Sequence, residues 1–184
     1  MAGIAAAALG VLAWSFMEYV IHRWLGHDAR MRPNPFAAEH VRHHGEGNYF
    51  APIWTKALAA AAGLGLVGGP AIWLAGTTEG LSFAAAFTGS YLGYELLHWR
   101  KHIHPGYGAF GRFTRRHHFY HHYTDPKFNH GVTLAFWDRV FRTLRPPGVI
   151  RVPERLAMPW LIDPETGDVR AEHAEDYELI PAEG

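Results

Sequence analysis

Ten of the 14 histidines in this chain fall into four clusters. In Arg116–His122 the order R-H-H-F-Y-H-H sets His118, His121 and His122 at i, i+3 and i+4, so a helix there carries three imidazoles on one face. The same spacing recurs at His40, His43 and His44, and two pairs, His22 with His27 and His98 with His102, complete the set. One such cluster is explained by capping, core hydrogen bonding or a solvated face. Four together are not.

Neutral imidazole binds iron, copper, nickel and zinc, and ligand type alone does not choose among them. About five or six ligands fill the coordination sphere of a transition ion, so the number of imidazoles points to two ions. His98 and His102 stand at i, i+4, whereas the i, i+5 separation of His22 and His27 requires an irregular turn, which Gly26 allows. Glu18 lies one helical turn before His22, where a carboxylate can orient an imidazole through its second ring nitrogen.

The elements that position these groups follow from composition. At 184 residues the chain has the length of one domain, with 18% charged residues and a net charge of zero, and nothing in that balance calls for nucleic acid. There is no cysteine, which excludes disulfides, thiolate nucleophiles and cysteine-ligated metals. Charged side chains are absent from residues 1–17 and 57–78, and residues 80–94 are mostly apolar. A helix needs about 20 apolar residues to cross a bilayer. The middle stretch has that length, and the outer two reach it with their flanks.

The first span runs from Ala2 to about Ile21 and lacks both the basic start and the small-residue cleavage site of a signal peptide, so it reads as retained. Phe36–His44 reads as a short amphipathic helix ended by Gly45 and Gly47. Thr55–Gly76 is the second span, which Gly68, Gly69 and Pro70 could kink or break, and Leu81–Leu97 returns after a turn at Thr77–Gly80. This hairpin puts all four clusters on one side of the membrane. Arg23, Arg30, Arg32, Arg42, Lys56, Arg100 and Lys101 share that side, which the positive-inside tendency makes cytoplasmic.

Pro105–Gly111 reads as a loop, Arg112–Tyr123 as the helix of the last triplet, and Leu134–Leu144 as an interfacial amphipathic segment. Residues 151–184, more acidic and rich in proline and glycine, read as a C-terminal tail that is peripheral or partly disordered. The expected fold is all-α: an integral membrane protein of about three to four embedded helices under a cytosolic histidine-rich helical cap.

Histidine clusters at a membrane surface, beside spans able to shelter an aliphatic substrate, suit attack on an unactivated C–H bond by an oxidant made from O2 at the metals. Such chemistry consumes electrons. With no G-x-G-x-x-G fingerprint after a predicted strand, they must come from a separate donor.

The ordered motifs H-R-W-L-G-H, H-V-R-H-H, H-W-R-K-H and H-F-Y-H-H, with the late G-V-T-L-A-F-W-D-R-V-F-R-T, resemble the fatty acid hydroxylase and sterol desaturase superfamily over about residues 15–144. The first motif, Y-x-x-Y-E-L-L-H and W-D-R-V-F-R-T are most similar to the fatty acid 2-hydroxylases. The resemblance implies a membrane hydroxylase domain over residues 1–150, hydroxylation of a lipid acyl chain at C2, and a di-iron centre whose sites can hold Zn2+ in purified protein. It also implies O2 as co-substrate and electrons from a cytochrome b5 or ferredoxin type of donor.

Carried over by motif, the catalytic metal ligands are His22, His27, His40, His43, His44, His98, His102, His118, His121 and His122. His104, His117 and His130, with Glu18, stand as groups behind the ligands or beside the substrate, and His117 faces away from its triplet on a regular helix. Arg100, Lys101, Arg115 and Arg116 are candidates to hold a polar lipid head. Carotenoid and sterol oxidation are the neighbouring alternatives. Membrane zinc or heavy-metal transport or storage is the alternative of another class, disfavoured because transport calls for ionisable ligands at the bilayer midplane.

Overall fold

The computed structural model describes residues 1–181. α1 (Ala2–Val20) is built mainly from alanine and unbranched apolar residues, which lose little freedom in a helix. It passes directly into one π-helical turn, Ile21–Gly26. α2 (Pro35–Glu46) starts at Asn34, whose side-chain oxygen accepts the Ala37 N–H at 2.8 Å, with proline at the first helical position, and it ends at Gly47.

The second apolar stretch is α3 (Ile53–Gly63), a π turn at Leu64–Gly68, and α4 (Gly69–Ala75). Gly68, Gly69 and Pro70 thus loosen the hydrogen-bond ladder without breaking the rod, because the wider turn absorbs the N–H that Pro70 lacks. The reversal is tighter than expected: Gly76, at φ +84°, makes it, and α5 (Thr77–Ile103) begins at the next residue.

α1 and α5 run in the same direction, with the α3–α4 rod antiparallel to them. Gly10 lies against Phe83 and Phe87, and a Cβ at Gly10 would collide with the Phe83 carbonyl, so glycine permits this approach. One turn on, Trp14 packs edge-on against Phe87 and Tyr91 at ring separations of 5.4 and 5.0 Å. Two helical runs, Ala2–Gly26 and Ile53–Ala75, are long and apolar enough to cross a membrane. Their outer faces leave Leu12, Leu58, Leu66 and Trp73 unburied. α5 is longer than either but does not match them in apolar character.

α6 (Gly108–Tyr123) starts inside the stretch expected as loop, and α7 (Phe136–Val140) is shorter than the amphipathic segment expected around it. α7 docks on α1, where the Trp137 indole N–H reaches Ser15 Oγ at 3.1 Å and its ring meets Phe16.

The tail corrects the sequence reading. β1 (Ile150–Pro153) and β2 (Tyr177–Ile180) pair in parallel, Ile150 opposite Tyr177. Ile150, Val152, Met158, Trp160, Leu161 and Tyr177 form a core with Phe119 of α6. The acidic character that suggested looseness is used in docking: Asp176, 3% exposed, sits among Arg112, Arg115 and Arg116, with Arg112 Nε at 2.7 Å. The strand alternation in the tail is only Ile150-Arg151-Val152 and Tyr177-Glu178-Leu179, two stretches more than 20 residues apart, too short to announce the core by pattern. Residues 182–184 lie outside the described residues.

Candidate metal centre

All ten clustered histidines meet at the common end of α1 and α5, in two groups of five. His22, His27, His40, His44 and His121 form one; His43, His98, His102, His118 and His122 form the other; in each the potential ligand atoms lie within 4.8 Å of one another. Helix geometry sorts them. Each triplet splits, with His40 and His44 in the first group and His43 in the second, and with His118 and His122 in the second and His121 in the first. The i, i+4 pair stays together and the i+3 member faces the neighbouring group. The groups abut where His44 and His122 stack at 4.0 Å.

The π turn brings His27 back toward His22, at a ring separation of 5.3 Å. Ring orientation is set by backbone carbonyls. His22 Nδ1 donates to His130 O at 2.5 Å, His121 Nδ1 to Phe128 O at 2.8 Å, and His43 Nδ1 to Tyr49 O at 2.6 Å. A neutral imidazole carries one proton, so these three present bare Nε2 lone pairs to the centre.

The arrangement fits cations and little else. In the first group His27 Nε2 lies 2.7 Å from His40 Nε2 and 2.9 Å from His121 Nε2, and His40 Nε2 lies 3.1 Å from His44 Nε2. One proton per ring cannot satisfy that convergence. In the second, His102 and His118 meet Nε2 to Nε2 at 3.0 Å, while His43 Nε2, His98 Nε2 and both ring nitrogens of His122 are buried without partners. Burial, and then the neighbouring imidazoles, push His40, His44, His118, His121 and His122 below the ordinary histidine value. Burial brings His27 and His43 down to about 4. The rings are therefore neutral near pH 7, as ligands must be.

Around the first group runs a polar frame that the sequence reading placed only in part. Glu18 makes no hydrogen bond to His22. Its carboxylate accepts Val132 N–H at 2.7 Å, Thr133 N–H at 2.8 Å and the Thr133 hydroxyl at 2.5 Å. It holds the loop whose His130 carbonyl orients His22. Asp138, fully buried, pins the same loop by accepting His130 N–H at 2.8 Å, Gly131 N–H at 2.7 Å, the Thr143 hydroxyl at 2.7 Å and His117 Nε2 at 3.1 Å. Burial alone would raise the Asp138 carboxyl, but these donors outweigh it and hold it below the ordinary value.

His117 thus faces away from its triplet, as expected, and His130 lies against the first group at 5.3 Å from the His121 ring. His104 belongs to neither: it is exposed at the end of α5. The sequence reading missed Asp138, whose signal was a lone carboxylate in an otherwise apolar and basic W-D-R-V-F. It also missed Trp160, which buttresses the second group from the tail by donating its indole N–H to the His102 carbonyl at 3.1 Å.

The expected head-group cations are mostly committed elsewhere. Lys101 is buried and donates to the Val132 carbonyl, Arg115 Nε bonds the Tyr177 hydroxyl at 3.1 Å, and Arg116 holds the carbonyls of Pro147 and Gly148. Arg100 alone of the four is exposed.

A cavity of about 920 Å³ runs from the histidines into the apolar bundle between α1, α3 and α5. His22, His40, His43 and His98 form its inner wall, and Val67 and Phe87 line its far part. Two buried histidine groups above an apolar cavity in a helical bundle are arranged as a site that could hold two metal ions beside an apolar channel.

The comparisons agree. A family model described as fatty acid hydroxylase matches residues 7–143. The ceramide very long chain fatty acid hydroxylase scs7 of Schizosaccharomyces pombe is 32% identical over 153 residues, which cover 75% of this chain and 42% of that protein. The fatty acid 2-hydroxylase of Mus musculus is 31% identical over 152 residues, covering 75% and 39%. A solved structure of full-length scs7p, with only its hydroxylase domain visible, shares the fold at a TM-score of 0.61 and 24% identity over 78% of this chain and 56% of that one. The chain belongs to the fatty acid hydroxylase family. It spans about two fifths of the length of these curated relatives.

Proposed function

We propose that this chain carries out O2-dependent hydroxylation of a lipid acyl chain, at the carbon next to the carbonyl, at a di-iron centre held by the ten clustered histidines. The observation that carries the proposal is the opening of one long apolar cavity onto both histidine groups. Bound iron supplies O2 activation and the attack on an unactivated C–H bond, which the side chains of this protein cannot perform. His22, His27, His40, His44 and His121 would hold one ion and His43, His98, His102, His118 and His122 the other.

The carbonyls of His130, Phe128 and Tyr49 keep the lone pairs of His22, His121 and His43 aimed inward. The cavity takes the acyl chain out of water and sets its position against the centre. One oxygen atom enters the C–H bond, the other leaves as water, and two electrons and two protons are consumed. The electrons come from a separate cytochrome b5 or ferredoxin type of donor. In this reading residues 1–150 make up the hydroxylase domain, α5 is a third membrane span beside the two apolar ones, and the histidine end faces the cytoplasm.

The test is lipid mass spectrometry of cells expressing the protein against a His121→Ala control, with iron and redox partners supplied. The expected result is acyl chains heavier by one oxygen at C2 in the wild type alone. Unchanged acyl lipids, with oxygenation of an added carotenoid or sterol instead, would overturn the substrate.

A further inference from the structure

The basic residues flanking the apolar helices on the histidine side are spent within the fold, with one exception. Arg23 bonds the Tyr19 hydroxyl at 2.9 Å, Arg32 the Gly26 carbonyl at 2.8 Å and Lys101 the Val132 carbonyl. Arg30 pairs with Asp28, Arg42 with Glu46 and Lys56 with Glu95. Arg100 is exposed and makes no hydrogen bond or ion pair among the described residues. It lines a pocket of about 200 Å³ at the corner where α5 ends and α6 begins.

Leu97, Arg100 and Lys101, at i, i+3 and i+4 on α5, line this pocket together. So does His104 at the end of α5, exposed and also without a side-chain partner among the described residues. Tyr107 and Phe110 complete the lining at 79% and 63% exposure, a placement that suits the headgroup layer of a bilayer better than water. Arg115 adds its charge while its Nε stays on the Tyr177 hydroxyl. No carboxylate lines the pocket among the described residues, and it shares no lining residue with the acyl cavity.

We propose that this corner binds the phosphate of an anionic membrane phospholipid through Arg100 and His104, with the glycerol and upper acyl carbons against Leu97, Tyr107 and Phe110. A guanidinium meets a phosphate with two parallel N–H donors, and His104 adds a further N–H. With Lys101 and Arg115 behind them and no acid, the pocket favours a head of net negative charge over one whose phosphate is balanced by its own ammonium. The acyl chain has room below: a Cβ at Gly89 or Gly93 would meet nothing within 4 Å, and both share a face of α5 with Leu97 at i, i+4 and i+8. Such a lipid ties the start of α6, which carries His118 and His122, to the membrane boundary. The inference rests on reading the histidine end as that boundary, and it adds a lipid that is not the substrate.

Binding is read by native mass spectrometry of the purified, delipidated full chain in detergent, with palmitoyl-oleoyl phosphatidylglycerol or phosphatidylcholine added. The wild type should retain phosphatidylglycerol about tenfold more tightly than phosphatidylcholine. Arg100→Gln combined with His104→Gln should bring the two lipids level. Melting followed by tryptophan fluorescence should show phosphatidylglycerol raising the midpoint of the wild type and not of the double variant. Glycerol phosphate, the same anion without acyl chains, should fail to displace the lipid at equal concentration.

Equal wild-type affinities for the two lipids, or an unchanged preference in the double variant, would overturn the site. Displacement by glycerol phosphate at equal concentration would overturn the lipid and make a soluble phosphate the ligand. Both side chains are exposed, so metal content and the lipid-free midpoint should match the wild type. If the double variant fails to fold, Arg100→Gln decides alone. Release of the protein from membranes by alkaline carbonate would sink the membrane reading itself, whereas retention with equal lipid affinities would sink this site alone.

Discussion

The two histidine groups use similar ligands and are held in opposite ways. The first is gathered from three segments, one of them a π turn, and is kept in place by polar contacts: Glu18 and Asp138 grip the loop at residues 129–133, whose carbonyl orients His22. The second takes four of its five members from α5 and α6 and leans on an apolar buttress in which Phe119 and Trp160 join the tail core. A buried hydrogen-bond frame fixes angles but fails abruptly when one partner is lost. An apolar buttress yields in proportion to the volume removed.

The largest expected effect removes a ligand from either side. His121→Ala and His118→Ala should each abolish turnover, and metal analysis should show each retaining about half of the wild-type metal if the sites fill independently. Loss of all metal in both variants would break the comparison, since the groups would then fill as one.

Trp160→Ala should cost about 3–5 kcal/mol of stability. Asp138→Ala, which strands four buried donors, should cost about 3 kcal/mol. Denaturant midpoints measure both. Partial metal loss should fall on the second group in the first variant and on the first group in the second, seen as non-additivity with His118→Ala and His121→Ala respectively.

Acid should act on both groups alike. His27 and His43 are held down to about 4 in the folded chain, against an ordinary value near 6.5. Between those values the unfolded chain binds more protons, so the metal-free protein loses stability as pH falls through that window. Melts of metal-free protein at about pH 7.5 and about pH 5 should show the drop, and an unchanged midpoint would contradict neutral buried clusters. The smallest effect belongs to His104→Ala, which should change stability by no more than about 0.5 kcal/mol and leave metal content intact.

The histidine boxes were legible because ligand spacing is local: i, i+4 pairs on a helix meet whatever surrounds them, and the i, i+5 pair called for an irregular turn, which the structure makes a π turn. The apolar rods and the existence of a hairpin between them were legible for the same reason, although the turn falls at Gly76 and not at Thr77–Gly80. Glu18 was read locally too, and there locality misled. A carboxylate one turn from His22 instead found three donors on Val132 and Thr133, more than 110 residues away in sequence. Arg115, Arg116 and Lys101 looked like membrane-surface charges, but partners in the tail and in the loop before α7 claimed them.

The sequence by itself determined which residues could bind metal, that there were enough for two ions, and that apolar helices would stand beside them. Only the tertiary structure decided how the triplets divide between two groups, which carboxylates steady the ligands, that residues 150–180 form a core against α6, and that Lys56 meets Glu95 in the cavity wall. The physical reason is that helix periodicity and ligand chemistry act over a few residues, whereas carboxylate partners and irregularly spaced apolar residues are chosen by chain segments that meet only on folding.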